Sequence, residues 1–287
     1  MIRKVIYKGV ILFLFPGFLY SQWWSSNLND ATAFNNGRHI QIIPDDYPFN
    51  HIVYHTYESG LYEGHYVVYD CVYQFTHYNM VINSSENVAY PSIAVAPYDY
   101  PNGPFAAIAY LTGSLDSHPE ILVPTGTPRV ALCFFPDEGP TWQYLDIPIV
   151  GVAGVPSIEL IGAAITDGEG DTPEWAPIFL VTFARYNVCV TPYTYSVELW
   201  EIKVGRHPDG SPDPHAYELL EIDEGTSPVS NPSSAVFPYY SGDAIAGWYF
   251  HTVWDGGSIR YAVSTMPSSN PEEDVELIGV VTLETGS

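Results

Sequence analysis

Carboxylates alternate with glycines in one short stretch of the chain, Asp167-Gly168-Glu169-Gly170-Asp171. Calcium takes roughly six to eight oxygen ligands, and carboxylates on alternate residues of a glycine-rich loop supply ligands of this kind. The remaining positions of an EF-hand are absent, so the stretch is not that motif. Asp167, Glu169 and Asp171 are therefore a candidate Ca²⁺ site, with an acidic loop in solvent as the alternative.

Tyrosines form a second set of candidate functional residues. The chain contains 23 of them, and four lie beside Pro or Ser where we expect loops between a first and a second strand: Tyr98, Tyr100, Tyr239 and Tyr240. An aromatic ring with a polar edge stacks on a sugar ring or anchors a protein partner. These four tyrosines are candidate ligand-binding residues, whereas tyrosines inside strands are expected to fill space between sheets.

The sequence contains none of three common catalytic motifs: a GxSxG nucleophile elbow, an HExxH metal motif and a GxxxxGKS phosphate loop. Nine histidines are scattered along the chain. Three cysteines, Cys71, Cys133 and Cys189, lie in apolar runs without metal-ligand spacing. We expect these cysteines to be small buried side chains, with a single disulfide as the alternative, and no catalytic residue is assigned.

The charge balance restricts the partners of the protein. The 287 residues include 33 acidic and 9 basic side chains, which gives a net charge of −24. Such a surface repels phosphate backbones and anionic lipid, so nucleic acid and anionic membrane surfaces are excluded as partners. Hydrophobic residues make up 46% of the chain, enough to form a substantial core. An extracellular glycan or protein remains the expected partner.

The first 21 residues have the pattern of an export signal. Arg3, Lys4 and Lys8 form a basic start, and an apolar run follows from Gly9 to Tyr20. That run is too short for a helix that spans a bilayer core of about 30 Å. We expect cleavage after Ser21, a linker over residues 22–36, and a secreted or cell-surface protein without an integral membrane segment. An N-terminal membrane anchor is the alternative.

A repeated sequence pattern predicts the fold. Three segments open alike, at Tyr90-Pro91-Ser92, Val155-Pro156-Ser157 and Asn231-Pro232-Ser233, and Gly37-Arg38-His39 opens a fainter fourth copy. Each is followed by three more short apolar runs bounded by turn residues, which are typical of strands. In the last copy, Asp255-Gly256-Gly257 predicts a hairpin between the second and third strands.

Four units of four strands predict an all-β chain, specifically a β-propeller over residues 37–287. The predicted blades cover about residues 37–84, 88–150, 154–223 and 229–279. A β-sandwich or jelly roll is the alternative fold, and five or more blades are expected if the sequence is part of a longer chain. A further apolar run, Val280–Glu284, is predicted either to complete the first blade or to begin a fifth.

Residues 135–142, Phe-Pro-Asp-Glu-Gly-Pro-Thr-Trp, provide a more specific motif. They resemble the Asp-box (BNR repeat) of sialidase-like β-propellers, with Asp137, Gly139, Thr141 and Trp142 in place and Phe135 where Ser is usual. The resemblance implies a turn between the third and fourth strands of a blade. The Asp would cap turn amides, the Gly would adopt a positive φ, and the Trp would pack between strands. In that family the box supports folding and lies away from the catalytic centre.

The same resemblance sets requirements for sialidase activity that this sequence does not meet. Sialidases use three arginines to hold the substrate carboxylate, and their first-strand Arg-Ile-Pro signature is missing here. The nearest match is Arg38-His39-Ile40, while Arg206 lies in a predicted loop and Arg129 is expected to be an ordinary edge residue. The sequence therefore predicts a secreted, non-catalytic glycan- or protein-binding or scaffold module. The alternatives are an exo-acting glycoside hydrolase with central carboxylates and a structural surface protein that belongs to a longer chain.

Overall fold

A computed structural model describes residues 40–44, 49–70, 72–73, 75–96, 105–115, 124–134, 140–166, 174–207, 211–242, 244–267 and 275–283. The regular secondary structure of these residues consists of β-strands. They include no helix that is long and apolar enough to cross a membrane. The predicted signal peptide and linker lie outside the described residues. The expectation of an all-β chain is confirmed.

The first half of the chain forms two antiparallel sheets, each with its strands in chain order. The first sheet contains β1 Ile40–Pro44, β2 Phe49–Glu58, β3 Leu61–Asp70 and β4 Phe75–Val81. The second sheet contains β5 Ala89–Val95, β6 Ala106–Thr112, β7 Thr127–Phe134 and β8 Thr141–Asp146. Every residue of β6 is buried, as expected for a second strand covered on both faces.

The second half of the chain repeats this arrangement. The third sheet contains β9 Val152–Ala153, β10 Ser157–Thr166, β11 Glu174–Asn187, β12 Thr194–Arg206 and β13 Pro212–Gly225, with β9 paired to β11. The fourth sheet contains β14 Ser230–Ser241, β15 Ala244–Asp255, β16 Ile259–Pro267 and β17 Glu276–Leu283. The predicted number of sheets, and the roughly four strands in each, are confirmed.

The predicted hairpin between the second and third strands of the fourth sheet is present. Asp255 ends β15 and pairs with Ile259 at the start of β16. The Asp255 Oδ1 atom accepts a hydrogen bond from the Gly257 N–H at 3.0 Å. Gly257 has a φ of 82°, a conformation that glycine adopts at little cost.

Consecutive sheets pack against each other through shared apolar cores. Their first strands contact one another in order, β1 with β5, β5 with β10 and β10 with β14. One core joins the first and second sheets, a second joins the second and third, and a third joins the third and fourth. Their larger members include Tyr66, Ile93 and Ile108 in the first core, Leu132, Phe179 and Trp200 in the second, and Val197, Trp248 and Phe250 in the third.

The repeated Pro-Ser openings form β-bulges in two of the sheets. The register of β5 against β6 shifts between Ala89 and Ser92, and Tyr90 within that bulge has a φ of 54°. In the fourth sheet, Asn231 occupies the matching bulge and has a φ of 50°. The proline that follows each of these residues removes a ladder donor where the ladder is already interrupted. The motif therefore has a structural role in these sheets.

The last strand differs from the prediction. Val280–Glu284 was expected to be a strand separate from the fourth blade, but β17 runs without a break through Gly279 and pairs with β16 over its length. The expectation that this run completes the first blade or begins a fifth is therefore wrong. Gly279 does not end the strand, because it stays in the ladder and pairs with Val263.

The prediction that the cysteines are buried is confirmed only in part. Cys133 is buried in β7 and has a free thiol, and burial raises its pKa to about 12. Cys189 is a free thiol exposed in the turn between β11 and β12, so the prediction that it is buried is wrong. Its apolar neighbours Val188 and Val190 resemble a strand, but the hairpin turns at this point. Cys71 lies outside the described residues.

Candidate functional site: the aromatic face of the fourth sheet

Several predicted site residues lie outside the part of the chain that the structure describes. They are the candidate calcium ligands Asp167, Glu169 and Asp171, the tyrosines Tyr98 and Tyr100, and the Asp-box residues Asp137 and Gly139. Within the described residues, no group of three or more His, Cys, Asp or Glu side chains is arranged to hold a metal ion. The four remaining site residues, Thr141, Trp142, Tyr239 and Tyr240, are all in strands.

The described part of the Asp-box lies at the start of β8. Thr141 and Trp142 pair with Phe134 and Cys133 at the end of β7, so the motif spans the connection between the third and fourth strands of the second sheet. The Trp142 ring meets Tyr66 of the first sheet edge-on, with ring centroids 5.9 Å apart. Trp142 thus packs between two sheets.

A capped turn occupies the corresponding place in the first sheet. The Asp70 Oδ1 atom accepts hydrogen bonds from the N–H groups of Val72 and Tyr73, both at 2.8 Å. Asp70 is the last residue of the third strand, β3. Sequence analysis missed this turn because the surrounding residues do not match the Asp-box, although an Asp followed by a turn is a recognisable signal.

Tyr239 and Tyr240 belong to a strand and not to a loop. Both lie in β14, paired with Gly247 and Ile245 of β15, and a bulge separates the two pairs. The loop prediction for them is wrong. Pro238 and Ser241 are typical of a turn, but pairing with β15 extends the strand to Ser241.

The two faces of the fourth sheet have opposite environments. Trp248 and Phe250 of β15 are buried against the third sheet. The intervening residues point to the other side, which we call the aromatic face. It comprises Phe237 and Tyr239 of β14, Tyr249 and His251 of β15, and Tyr261 of β16.

Ring contacts order the side chains of the aromatic face. Tyr239 and Tyr249 have ring centroids 4.9 Å apart, and Phe237 meets His251 edge-on at 5.3 Å. The His251 Nδ1 atom is 2.5 Å from the Tyr261 hydroxyl. These contacts connect three neighbouring strands, so the rings are positioned by the sheet and by one another.

Glycine at position 247 makes room for one of these rings. A Cβ atom there would lie 2.6 Å from the Tyr239 ring and 2.3 Å from the Met266 carbonyl oxygen. Neither distance is compatible with a real side chain. Gly247 therefore allows the Tyr239 ring to lie across the backbone of β15.

The aromatic face is open to solvent. Phe237 is 54% exposed and Tyr249 is 36% exposed. Apolar side chains continue the face toward the far edge of the sheet at Val253, Ile259, Val281 and Leu283, all exposed. None of these face residues is Asp, Glu, Lys or Arg. Exposed aromatic rings with hydroxyl and imidazole edges suit a ligand that has both apolar and hydroxylated surfaces.

The expectation that Arg129 is an ordinary edge residue is wrong, because it lies in β7 and joins a polar network between the second sheet and the segment that connects it to the first. Arg129 Nη1 donates to Glu86 Oε2 at 2.7 Å, and its Nε donates to Asp146 Oδ1 at 2.5 Å. Glu86 also accepts hydrogen bonds from the Tyr110 hydroxyl at 2.7 Å and the Thr112 hydroxyl at 3.0 Å. Glu86 is in the connection between the two sheets, where sequence analysis gave no sign of a role.

Two more arginines form separate networks in the third and fourth sheets. Arg185 of β11 binds Glu198 of β12 at 2.6 Å and Glu221 of β13 at 2.5 Å. Burial raises the pKa of the Glu198 carboxyl above its ordinary value, against the effects of the Trp200 hydrogen bond and of Arg185. Arg260 of β16 binds the Asp223 carboxylate at the end of β13. These arginines thus bind carboxylates of the chain itself, each on a different sheet.

Comparison of the chain with protein-family models, curated proteins and solved structures finds no match. Function is therefore inferred from the residues and geometry of the chain itself.

Proposed function

We propose that this protein is a secreted β-propeller of the sialidase-like Asp-box type and acts as a non-catalytic binding module. In this proposal the ring is open at the fourth sheet, and an extracellular glycan binds to the exposed aromatic face of that sheet. The observation that carries the proposal is the exposure of Phe237 and Tyr249 within an ordered, uncharged cluster of rings.

Strand order supports the propeller. Each sheet follows the chain from its first to its fourth strand, and the first strands contact one another in succession. The fourth strands lie at the edges of the sheets, and β4, β8 and β17 are largely exposed. In a propeller, first strands surround a central axis and fourth strands form the rim. The position of Thr141 and Trp142 after the third strand is also the one that the Asp-box resemblance implies.

The chemistry of the aromatic face supports a glycan ligand. The C–H faces of a sugar ring stack on Phe237 and Tyr249, while the tyrosine hydroxyls and His251 are placed to form hydrogen bonds with sugar hydroxyls. Tyrosine and phenylalanine have few rotatable bonds, which keeps the entropy cost of ordering them low. A net charge of −24 disfavours acidic sugars, so we expect neutral or amino-sugar glycans to bind best.

The arginine networks support a role without sialidase chemistry. Arg129, Arg185 and Arg260 are each bound to carboxylates of the chain in separate places. A guanidinium already held by two carboxylate oxygens is a poor ligand for a substrate carboxylate. These three arginines fit a structural role better than a shared substrate pocket.

A panel of neutral, amino-sugar and acidic oligosaccharides tests the proposal, with binding and release of free sugar measured on the same samples. We expect neutral or amino-sugar members to be retained and recovered intact. Hydrolysis of a panel member would establish the alternative, an exo-acting glycoside hydrolase. Binding restricted to acidic sugars, or no retention of any glycan by a folded chain, would contradict the proposed ligand class.

A further inference from the structure

The strand β17 is an exposed sheet edge with an unusual composition. All eight of its residues are exposed, and within the described residues it pairs with β16 alone. Leu277, Ile278, Val280, Val281 and Leu283 are aliphatic, and Glu276 is the single charged residue. An edge of this kind presents unpaired backbone N–H and C=O groups together with β-branched side chains, which favours pairing with another strand.

The other fourth strands carry residues that discourage such pairing. β4 contains Thr76, His77 and Asn79, and β8 contains Gln143 and Asp146. β13 contains two prolines and several acidic residues among its fourteen positions. Charged and polar side chains and prolines on edge strands discourage edge-to-edge association. The contrast singles out β17 as the sheet edge suited to a partner.

A bulge limits the length of β17 that can pair regularly. Val263 of β16 pairs with Gly279 and Ser264 pairs with Leu277, which leaves Ile278 as the extra residue. Bulges bend a strand and interrupt its ladder. The segment Gly279–Leu283 lies beyond the bulge and pairs with β16 in unbroken register.

We propose that the segment Gly279–Leu283 binds the same segment of a second copy of this chain, antiparallel and centred on Val281. In this register Val281 faces its own counterpart across the two-fold axis, Val280 faces Thr282, and Gly279 faces Leu283. The pairing satisfies the free backbone groups of both edges and joins the two fourth sheets into one continuous sheet. It is a short contact, so we expect a dissociation constant in the low micromolar range or weaker.

The charge pattern fits a second copy in this register. No charged residue lies within Gly279–Leu283. The two Glu276 side chains are separated by ten residue steps along the strands, which is roughly 34 Å and well beyond the screening length of about 8 Å at physiological salt. Repulsion between two chains of net charge −24, including Glu284 just beyond the segment, opposes association, and added salt weakens that repulsion.

Opposite charges at Val281 provide the test, because this residue meets itself in the dimer. Directly opposite residues have Cβ atoms about 5 Å apart, so two lysines or two glutamates there repel each other. We expect sedimentation analysis of the full chain at about 1–100 µM to show a reversible monomer–dimer equilibrium. Val281→Lys and Val281→Glu alone should each weaken the dimer at least about tenfold, and an equal mixture of the two should restore it.

Val81→Lys is the matched control, since Val81 is an exposed valine at the end of β4, the edge of a different sheet. It should dimerise like the unmodified chain. A chain that stays monomeric throughout, a Val281→Lys variant that dimerises normally, or a mixture that fails to pair would each overturn the proposal. Assembly beyond two copies would also overturn it, because each copy has one β17 edge and the two-fold contact occupies the β17 edges of both copies.

Discussion

Glu86 accepts hydrogen bonds from its own connecting segment and from two strands of the second sheet, β6 and β7. Its carboxylate accepts donors from Asn83, Tyr110, Thr112 and Arg129, and its side chain is 20% exposed. Asp146 binds the same arginine but is 63% exposed. The two carboxylates therefore differ in burial and in the number of groups that lose a partner when the charge is removed.

We expect Glu86→Gln to lower the free energy of unfolding by about 1–3 kcal/mol, because buried donors are left poorly satisfied. Asp146→Asn is the control and should cost less than about 1 kcal/mol, as is usual for exposed ion pairs. Urea denaturation of the two variants measures both values. Equal losses, or a larger loss for Asp146→Asn, would contradict the role assigned to Glu86.

His51 makes stability depend on pH. Burial lowers its pKa from 6.5 to about 4, and its Nδ1 atom lies 2.7 Å from the Tyr66 hydroxyl. Between these two pKa values the unfolded chain binds a proton that the folded chain does not, so stability falls as the pH falls from about 6.5 to about 4. Over this pH window, protonation of His51 in the unfolded chain lowers the free energy of unfolding by about 3 kcal/mol.

His51→Gln should therefore reduce the loss of stability between pH 6.5 and pH 4 compared with the unmodified chain. Other titrating groups contribute equally to both proteins, so the difference between their pH profiles isolates His51. Denaturant titrations at several pH values provide the profiles. Parallel profiles would show that His51 is not held neutral by the fold.

At the scale of elements, the close contact at Gly247 joins β15 to the aromatic face. Gly247→Ala introduces a Cβ atom against the Met266 carbonyl and the Tyr239 ring, and we expect a loss of about 1–3 kcal/mol from overpacking. Gly225→Ala is the control, since a Cβ atom at position 225 meets nothing closer than the Ser227 backbone nitrogen at 4.0 Å. Thermal unfolding should show a lower Tm for Gly247→Ala alone. A similar Tm for both variants would contradict the packing at Gly247.

The strands themselves follow from local signals in the sequence. Apolar runs bounded by Gly, Pro and Asp turns predict the repeated four-strand units, because short buried strands need both features. The ends of strands are less predictable. Tyr239 and Tyr240 follow Pro238, a signal for a loop, but β14 continues because β15 is available to pair with it. Pairing between strands is a tertiary contact that local composition does not encode.

The polar networks show the same limit for candidate functional residues. Arg129 and Glu86 are 43 positions apart, and Arg260 and Asp223 are 37 apart. Neither pair has a local motif, and with 33 acidic residues in the chain many partners are formally available. Sequence analysis therefore does not identify the carboxylates that bind these arginines. Of the aromatic face, the sequence predicts only Tyr239 as a binding residue. The other members lie on three strands, and only the pairing of those strands brings them together.

At the scale of the whole molecule, the large negative charge makes cation binding a favourable source of stability. We expect millimolar Ca²⁺ to raise the Tm more than NaCl of matched ionic strength, because carboxylate ligands at Asp167, Glu169 and Asp171 bind the ion in addition to general screening. A double variant, Asp167→Asn with Asp171→Asn, should respond to Ca²⁺ and NaCl alike. Equal responses in the unmodified chain would contradict the calcium prediction.

The proposed dimer and the proposed glycan site have a joint consequence. A two-fold axis perpendicular to the joined sheets places both aromatic faces on the same side. Two linked sites bind a multivalent glycan more tightly than one, without new contacts to each sugar. This consequence requires both proposals, whereas pairing through β17 stands without the glycan site.

Binding at the aromatic face is the central claim, and calorimetric titration with the tightest-binding neutral oligosaccharide of the panel tests it most directly. Tyr249→Ala removes a ring from the face, and Tyr217→Ala removes an exposed tyrosine from β13 of the third sheet. We predict that Tyr249→Ala raises the Kd at least about tenfold, equivalent to 1.4 kcal/mol, while Tyr217→Ala leaves it unchanged. An unchanged Kd for a folded Tyr249→Ala variant would contradict the account.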